Sequence, residues 1–249
     1  MSSKTRIGHT ILAFGQVEST NDQLKLLLKE DDLESGLVLD CYEQTQGRGQ
    51  RDNKWQSKKG ENIHLSIFFR PESLRVDRQF LMNEAVALAL RQTIREYVPS
   101  IEVKIKWPND ILFNEYKIAG ILIENVLQGS FVEHTIIGIG INVNQTSFEY
   151  FNRAASSLLL LGGTPIDLDK FKKSLFDHLG FFLSKINQPE YIQGQYERYL
   201  YGKMQSVLIQ IPEKTAYFHI ESIDTWGRII LKDSYGTYGP FGFQELVFK

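Results

Sequence analysis

Two stretches of the chain carry cationic side chains beside glycines, a pattern that suits the binding of phosphate or carboxylate groups. The first is the polar run 43–61, in which Gly47, Arg48 and Gly49 are consecutive. The second is Lys117, which a glycine follows three positions later. Glycine lets a backbone approach a ligand closely, and arginine or lysine supplies positive charge. The pattern predicts an anion site, although a flexible surface loop and a solvated edge lysine would each explain one stretch alone.

The run 43–61 contains a single large apolar side chain, Trp55. A segment that buries so little apolar surface gains little free energy to offset the entropy lost on ordering. We therefore expect a loop that is mobile without ligand and becomes ordered when a ligand supplies contacts.

Two hydroxyl side chains precede a predicted helix near the N-terminus. Ser19 and Thr20 follow a predicted strand over 11–17 and lead into the leucine-rich segment Asp22–Glu30. Either hydroxyl suits the cap of that helix. The N–H groups of a helix N-terminus could also bind the polar end of a ligand. The residues alone leave both alternatives open.

Strand signals surround Lys117 and predict the platform on which it stands. Runs rich in Ile, Leu and Val between residues 104 and 144 are interrupted at Asn114-Glu115 and at 128–130. This pattern predicts three consecutive strands joined by tight turns, with one face in the core.

Glycines in the last strand of this platform indicate a close approach. Gly138 and Gly140 lie between isoleucines, where glycine weakens strand packing. A bulge or a tight helix crossing explains them, and so does a ligand or backbone lying against the strand.

Two further strands are predicted upstream of the platform. Gly36–Tyr42 contains the single cysteine, Cys41, which we interpret as a buried strand thiol. Asn62–Phe69 alternates apolar and polar residues, which predicts a half-buried strand. His64 should then lie on the surface or on the second face of the sheet.

The remaining elements predict an α+β fold with two domains. Helices are predicted over Asp77–Tyr97, Ala154–Leu161, the Asp167-capped segment to Ile186, and Pro189–Tyr199. Short strands follow at Met204–Ile211, Thr215–Ile223, Arg228–Lys232 and Gln244–Phe248. Because strands alone follow the helices, we predict a domain over 1–200 and a small C-terminal β-barrel over 201–249.

Composition excludes several classes of function. The 249 residues carry a formal charge of −2 and a sequence pI of about 6.2, so no basic footprint for DNA is present. No stretch resembles a signal peptide or a membrane span. One cysteine suits a reducing compartment, which predicts a cytoplasmic protein. The five histidines show no ligand-like spacing, so no metal cage is predicted.

Six motifs in order give the chain its resemblance to the biotin–protein ligases, also called biotin–[acetyl-CoA-carboxylase] ligases. They are Glu18–Asn21, Gln44–Gly49 with Trp55, Lys106–Asp110, Lys117–Leu122, Gly138–Val143 and the turn Ile223–Gly227. Each motif alone is weak evidence. Together they span roughly residues 10 to 230 and form a specific pattern.

The resemblance implies a mixed-sheet catalytic domain of the biotin/lipoate-ligase type, followed by a small barrel domain. Some family members carry an N-terminal DNA-binding helix-turn-helix. The first strand starts near Ile11 here, so we expect the monofunctional kind without DNA binding.

The resemblance also implies the activity. Biotin reacts with ATP, supplied with magnesium, to form biotinyl-adenylate, which then transfers biotin to one lysine of a carboxylase carrier domain. The implied biotin contacts are Ser19, Thr20, Asn21, Gln44, Gly47, Arg48, Lys117 and Gly120. The implied ATP contacts are Arg51, Trp55, Asn109, Asp110, Lys117 and Asn142. Arg48 and Lys117 would be the catalytic cations.

The basic loop departs from the family pattern at two positions. Many relatives have arginine and glycine where this chain has Gln50 and Asp52. Position 50 therefore offers no cation, and Arg51 or Lys54 could take its place. Whether these changes alter retention of the adenylate is left open by the sequence.

Two alternatives compete with the biotin–protein ligase interpretation. A lipoate–protein ligase would use the same adenylate chemistry, but lipoate has no ureido ring to occupy the polar set Ser19, Thr20 and Gln44. A non-catalytic biotin-binding regulatory module would have no use for both Arg48 and Lys117. The acceptor carboxylase, the affinity for biotin and a possible homodimer are not specified by the sequence.

Overall fold

The structure, a computed structural model, describes residues 6–50, 53–148 and 154–249. The helices in these ranges are α1 (Thr20–Glu30), α2 (Leu81–Tyr97), α3 (Leu158–Gly162), α4 (Leu168–Leu183) and α5 (Pro189–Arg198). The first strands are β1 (Ile11–Phe14), β2 (Val38–Cys41), β3 (Ile63–Phe69), β4 (Val103–Lys106), β5 (Asp110–Phe113), β6 (Tyr116–Gln128) and β7 (Phe131–Ile141). The C-terminal strands are β8 (Val207–Gln210), β9 (Thr215–Ile223), β10 (Ile229–Lys232), β11 (Thr237–Phe241) and β12 (Val247–Phe248).

Local signals fix where the helices begin. Ser19 has extended backbone geometry and its side chain accepts a hydrogen bond from the Asp22 amide, which caps α1. Asp167 caps α4 by accepting bonds from two amides of the first turn. Both predicted caps are confirmed.

The larger sheet is mixed, which confirms the predicted α+β class. Its strand order is β1-β2-β3-β7-β6-β5-β4, with β1 and β2 parallel and the other neighbours antiparallel. Helix α1 packs on β3 and β7, whereas α2 packs on β4, β5 and β6 and is in turn covered by α4 and α5. Helices therefore cover both faces of the sheet.

The predicted platform has one strand more than expected. Residues 107–109 turn the chain between β4 and β5, which pair with each other as an antiparallel hairpin, and β5 also pairs with β6. The turns at Asn114-Glu115 and at 128–130 lie where the sequence predicts them. A proline within the first run explains the extra corner, because proline cannot donate to a strand ladder.

The prediction that β3 is half-buried is wrong. All seven residues of β3 are buried. Helix α1 packs over one face of the strand, and the apolar residues of the other face belong to the same core cluster as those of α2. His64 is fully buried on the second face, so its predicted exposure on the surface is wrong and its assignment to the second face is right.

The predicted helix over Ala154–Leu161 is shorter in the structure. Only Leu158–Gly162 is helical, and Ser157 caps it. The preceding segment instead pairs with β6, where Ala155 forms a parallel bridge with Lys117.

The C-terminal strands form a second antiparallel sheet in the order β11-β10-β9-β8-β12. Strand β11 was not predicted, because Gly239 and Pro240 within it are typical of loops. Among the described residues no pairing joins β11 to β12, so the barrel stays a prediction. The division at residue 200 also stays a prediction, since one continuous apolar core joins the two sheets.

No helix in the described part of the chain is long and apolar enough to cross a membrane.

Candidate active site

One cleft collects most of the residues that the sequence predicts for the site. Its walls are the N-terminus of α1 and the loop after β2, and its floor is formed by β6 and β7. The predicted residues that line it are Ser19, Thr20, Asn21, Gln44, Arg48, Trp55, Asn109, Lys117 and Gly120.

A polar end of the cleft is formed where α1 meets the loop. The backbone N–H and the hydroxyl of Thr20 both donate to Oε1 of Gln44, at 2.7 and 3.0 Å. This pairing orients the Gln44 amide so that its NH2 group is the part left to meet a ligand. Ser19 and Thr20 are both buried at this end. Ser19 therefore caps the helix, and both side chains line the cleft, so capping and lining are compatible at Ser19.

Asn21 is held firmly by the protein. Its amide nitrogen donates to the Leu122 carbonyl at 3.3 Å and to Glu124 Oε2 at 2.7 Å, and its oxygen accepts from Ser66 at 2.5 Å. A Cβ on Gly138 would lie 2.4 Å from Asn21 Oδ1. Gly138 therefore lies where α1 crosses β7 closely, which is one of the explanations that the sequence analysis gave for this glycine.

The basic loop folds back as a short hairpin. The Trp55 amide donates to the Gly47 carbonyl at 2.8 Å, and the Gly49 amide donates to the Asn53 carbonyl at 2.7 Å. A Cβ on Gly47 would lie 2.5 Å from the Trp55 carbonyl oxygen, so only glycine fits there. The predicted ATP contact Arg51 lies outside the described residues.

The hairpin places the Trp55 indole on the floor of the cleft. A Cβ on Gly140 would lie 2.5 Å from Trp55 Cε2, and one on Gly120 would lie 3.2 Å from the ring. These glycines face each other across β6 and β7. The ring lies 5.6 Å from the ammonium of Lys117. Gly140 is thus the closely approached strand glycine, and the approaching group is an aromatic side chain.

Lys117 stands near the start of β6 and forms an ion pair with Asp110. The Nζ–Oδ1 distance is 2.6 Å, and the Asp110 side chain is only 8% exposed. Both backbone groups of Lys117 are bonded to the segment before α3, because its amide donates to the Ala154 carbonyl and its carbonyl accepts from the Ser156 amide. The cation is therefore held on a rigid element rather than on the loop.

Arg48 is held by two carboxylates that sequence reasoning did not assign to the site. Its Nη2 lies 2.5 Å from Asp22 Oδ1 and 3.5 Å from Glu124 Oε1. Lys25 binds the same pair, at 2.6 Å from Glu124 and 3.6 Å from Asp22. Burial acts to raise the pKa of Glu124, but hydrogen bonds from Lys25 and Asn21 lower it on balance. No sequence signal links α1 to β6, because the contact depends on sheet topology.

Two predicted ATP contacts have different surroundings. Asn109 lines the cleft and braces the corner, since its amide donates to the Ile121 carbonyl at 2.8 Å. Asn142 is buried at the end of β7 and does not line the cleft. Its side-chain oxygen has no hydrogen-bond partner in the described part of the chain.

His64 lies close to the base of the loop. Its Nε2 forms a short hydrogen bond with the Ser57 hydroxyl, two residues after Trp55. Burial lowers the pKa of His64 from 6.5 to about 4, so the imidazole is neutral at pH 7. The structure therefore reveals an anchor for the loop that the strand pattern did not indicate. Among the described residues no cluster of three or more His, Cys, Asp or Glu could hold a metal ion.

The sequence of the chain is similar to those of known proteins. The model of the biotin/lipoate A/B protein ligase family matches residues 13–142. The bifunctional ligase/repressor BirA of Bacillus spizizenii is 36% identical over 168 residues, which cover 66% of this chain and 51% of that protein. A biotin–[acetyl-CoA-carboxylase] ligase of Mycobacterium tuberculosis is 34% identical over 167 residues, covering 66% of this chain and 60% of that protein. The chain thus spans about half the length of the first relative.

A solved structure has the same fold over nearly the whole chain. Biotin protein ligase from Aquifex aeolicus in complex with biotin and ATP has a TM-score of 0.79 and 22% sequence identity, covering 97% of this chain and 100% of that chain. At this identity, the likeness shows the fold.

Proposed function

We propose that this chain, which belongs to the biotin/lipoate A/B protein ligase family, activates biotin with ATP and transfers it to a lysine of a carrier domain. The observation that carries the proposal is a single cleft with a polar end at Thr20 and Gln44 and two fixed cations, Arg48 and Lys117. A ligand with a polar head and an anionic tail fits that distribution.

Biotin has this shape. Its ureido oxygen would accept from the Ser19 hydroxyl and from the NH2 group of Gln44. Thr20 would hold that amide in place, because its N–H and its hydroxyl both donate to Gln44 Oε1. Gly120 and Gly140 carry no side chain, which makes room for the Trp55 indole over them, and the body of the ligand would lie beside that ring. Its carboxylate would then approach Arg48 and Lys117.

In the first step a carboxylate oxygen of biotin attacks the α-phosphorus of ATP. A new oxygen–phosphorus bond forms, the bond to the β-phosphate oxygen breaks, and pyrophosphate leaves. Negative charge is concentrated where the two anions meet, and prepositioned cations such as Lys117 and Arg48 stabilise that charge. Because Lys117 stands on β6, no loop ordering is needed to hold it.

In the second step the neutral amine of a carrier lysine attacks the biotinyl carbonyl of the adenylate. An amide bond forms, AMP leaves, and the amine gives up a proton. Trp55 would exclude water from the anhydride in the meantime, because its indole already lies over Gly120 and Gly140.

Magnesium would enter with the triphosphate as part of the substrate. Mg²⁺ usually keeps several waters and binds one or two carboxylates together with phosphates. Asp110 at the corner supplies one carboxylate beside Lys117, which fits that mode. The neighbouring residue Asn109 lines the cleft, and we assign both residues to the ATP side.

The proposal includes the partner and the compartment. The acceptor is a biotin carrier domain of a carboxylase, and DNA is not a ligand of this chain, which has a charge of −2. The sole cysteine, Cys41, is a buried thiol, and this supports a reducing compartment such as the cytoplasm.

Mass spectrometry of a carrier domain tests the proposal. Incubation with the protein, biotin, ATP and magnesium should add one biotinyl group at one lysine. Incubation with lipoate instead of biotin is the matched control, because a lipoate ligase would modify the carrier only in that sample. No modification in any sample that contains ATP would contradict the proposal.

A further inference from the structure

The loop cation Arg48 is held from two sides by carboxylates of separate elements. Asp22 lies in the first turn of α1, and Glu124 lies in the middle of β6. One guanidinium nitrogen lies 2.5 Å from Asp22 and 3.5 Å from Glu124. An arginine held by two carboxylates loses much of its rotamer freedom.

Both carboxylates are themselves held in place. Glu124 accepts from the amide of Asn21 at 2.7 Å and from Lys25 at 2.6 Å. Asn21 is buried and also bonded to the Leu122 carbonyl, so the Glu124 carboxylate is tied to the sheet. Asp22 is part of α1, which packs on β3 and β7. Asp22 and Glu124 therefore form a rigid binding site for the Arg48 side chain of the loop.

The charges of this cluster balance. Arg48 and Lys25 contribute two positive charges, and Asp22 and Glu124 contribute two negative charges. The cluster therefore holds Arg48 at the edge of the cleft and has no net positive charge of its own. An arginine has five donors, so it can keep a carboxylate partner while it contacts a ligand.

We propose that Asp22 and Glu124 are positioning residues that act through Arg48, holding the loop cation at the cleft before an anionic substrate arrives. The proposal rests on the proposed function for its effect on activity. Its structural part, the holding of the loop by α1 and β6, concerns the empty protein. Neither carboxylate contacts the reacting atoms.

The test is a double-mutant cycle between Asp22 and Arg48. Asp22→Asn, Arg48→Gln and the double variant are compared with the unmodified protein in biotin-dependent exchange of pyrophosphate into ATP. Asp22→Asn should lower kcat/KM for biotin roughly two- to fivefold, mainly through KM, because a partly exposed ion pair has a modest effect. Asp22→Glu keeps the charge and should restore most of the loss.

The decisive result is the effect of Asp22→Asn when Arg48 is already glutamine. If Asp22 acts through Arg48, the double variant should equal Arg48→Gln alone. If the two losses multiply, Asp22 acts on α1 or on the substrate by itself, and the proposal is overturned. Asp32→Asn, which removes an exposed carboxylate that pairs with Arg70, is the control and should leave exchange unchanged.

Hydrogen exchange of the empty protein gives a second result that does not depend on activity. The amides of Gly49 and Trp55, whose hydrogen bonds close the hairpin, should be protected in the empty protein, in contrast to the mobile loop expected from composition. They should lose that protection equally in Asp22→Asn and Arg48→Gln. Unchanged protection in both variants would overturn the proposal. If the unmodified protein shows no exchange of pyrophosphate, the proposed function fails, while this measurement still decides whether the carboxylates hold the loop.

Discussion

Acidification should destabilise the protein through His64, which is fully buried on β3. Burial lowers its pKa from 6.5 to about 4, against smaller opposing effects of the Cys41 backbone and of the Asp40 charge. The folded protein therefore binds fewer protons than the unfolded chain between these two values. The stability that His64 contributes is complete above pH 6.5 and is lost as the pH falls towards 4.

The size of the loss follows from the two pKa values. The full shift corresponds to about 3 kcal/mol, and about 2 kcal/mol of it would be lost by about pH 5. A loss of that size is a large fraction of the stability of an ordinary domain. The Ser57 hydroxyl faces His64 Nε2 and carries no charge that could offset the added proton.

Urea unfolding at about pH 7.5 and about pH 5 measures this loss. His64→Gln keeps a polar side chain that does not titrate, so the variant should lose less stability on acidification than the unmodified protein by about 2 kcal/mol. Other carboxylates titrate in both proteins, and comparing the two removes their effect. Equal losses in the two proteins would show that His64 is not held neutral by burial, and the reasoning would be refuted.

Three further perturbations have defined outcomes. Lys117→Ala should slow adenylate formation by about 10²–10³ and affect transfer from synthetic biotinyl-adenylate much less, and equal losses in both assays would contradict its role. Gly140→Ala should displace the Trp55 ring, since the new Cβ would lie 2.5 Å from it, and should raise amide exchange at residues 53–57. Gly15→Ala meets no atom within 4 Å and is the control; equal exchange in both variants would refute the packing argument. Burial, and then a neighbouring carboxylate, raises the pKa of Glu84 to about 8, so its contribution to stability is lost as the pH rises from 4.5 through 8. Glu84→Gln should flatten that loss in urea unfolding, and an unchanged slope would contradict it.

The sequence predicts the elements well where local signals are strong. The Asp167 cap, the turn at Asn114-Glu115 and strand Thr215–Ile223 all lie where their residue patterns indicate. Caps and turns depend on neighbouring residues, so the chain itself specifies them.

The burial of β3 could not be predicted from its alternation. Polar residues on one face normally indicate solvent, but Ser66 bonds Asn21 of α1 and His64 bonds Ser57 of the loop. Both partners arrive from elsewhere in the chain. A strand with a buried polar face therefore has the same sequence pattern as a strand with an exposed one, and only the tertiary contacts distinguish them.

The candidate site shows the same division. Motifs predict Arg48 and Lys117, and the cleft brings both together with Gln44 and Trp55. The sequence does not predict the carboxylates that pair with these two cations. Asp110, which pairs with Lys117, was predicted to contact the nucleotide, and no sequence signal connects Asp22 with Arg48 of the loop. Such pairings arise from strand register and helix packing rather than from spacing along the chain.

The most direct test of the central claim is exchange of labelled pyrophosphate into ATP without any carrier domain. Because the adenylate forms in a separate, reversible step, biotin should drive exchange, and omission of biotin should abolish it. Lipoate at the same concentration should give little exchange, since it has no ureido group for the polar end of the cleft at Thr20 and Gln44. Exchange with lipoate but not with biotin would contradict the assignment of the substrate, and no exchange with either would contradict the adenylate chemistry.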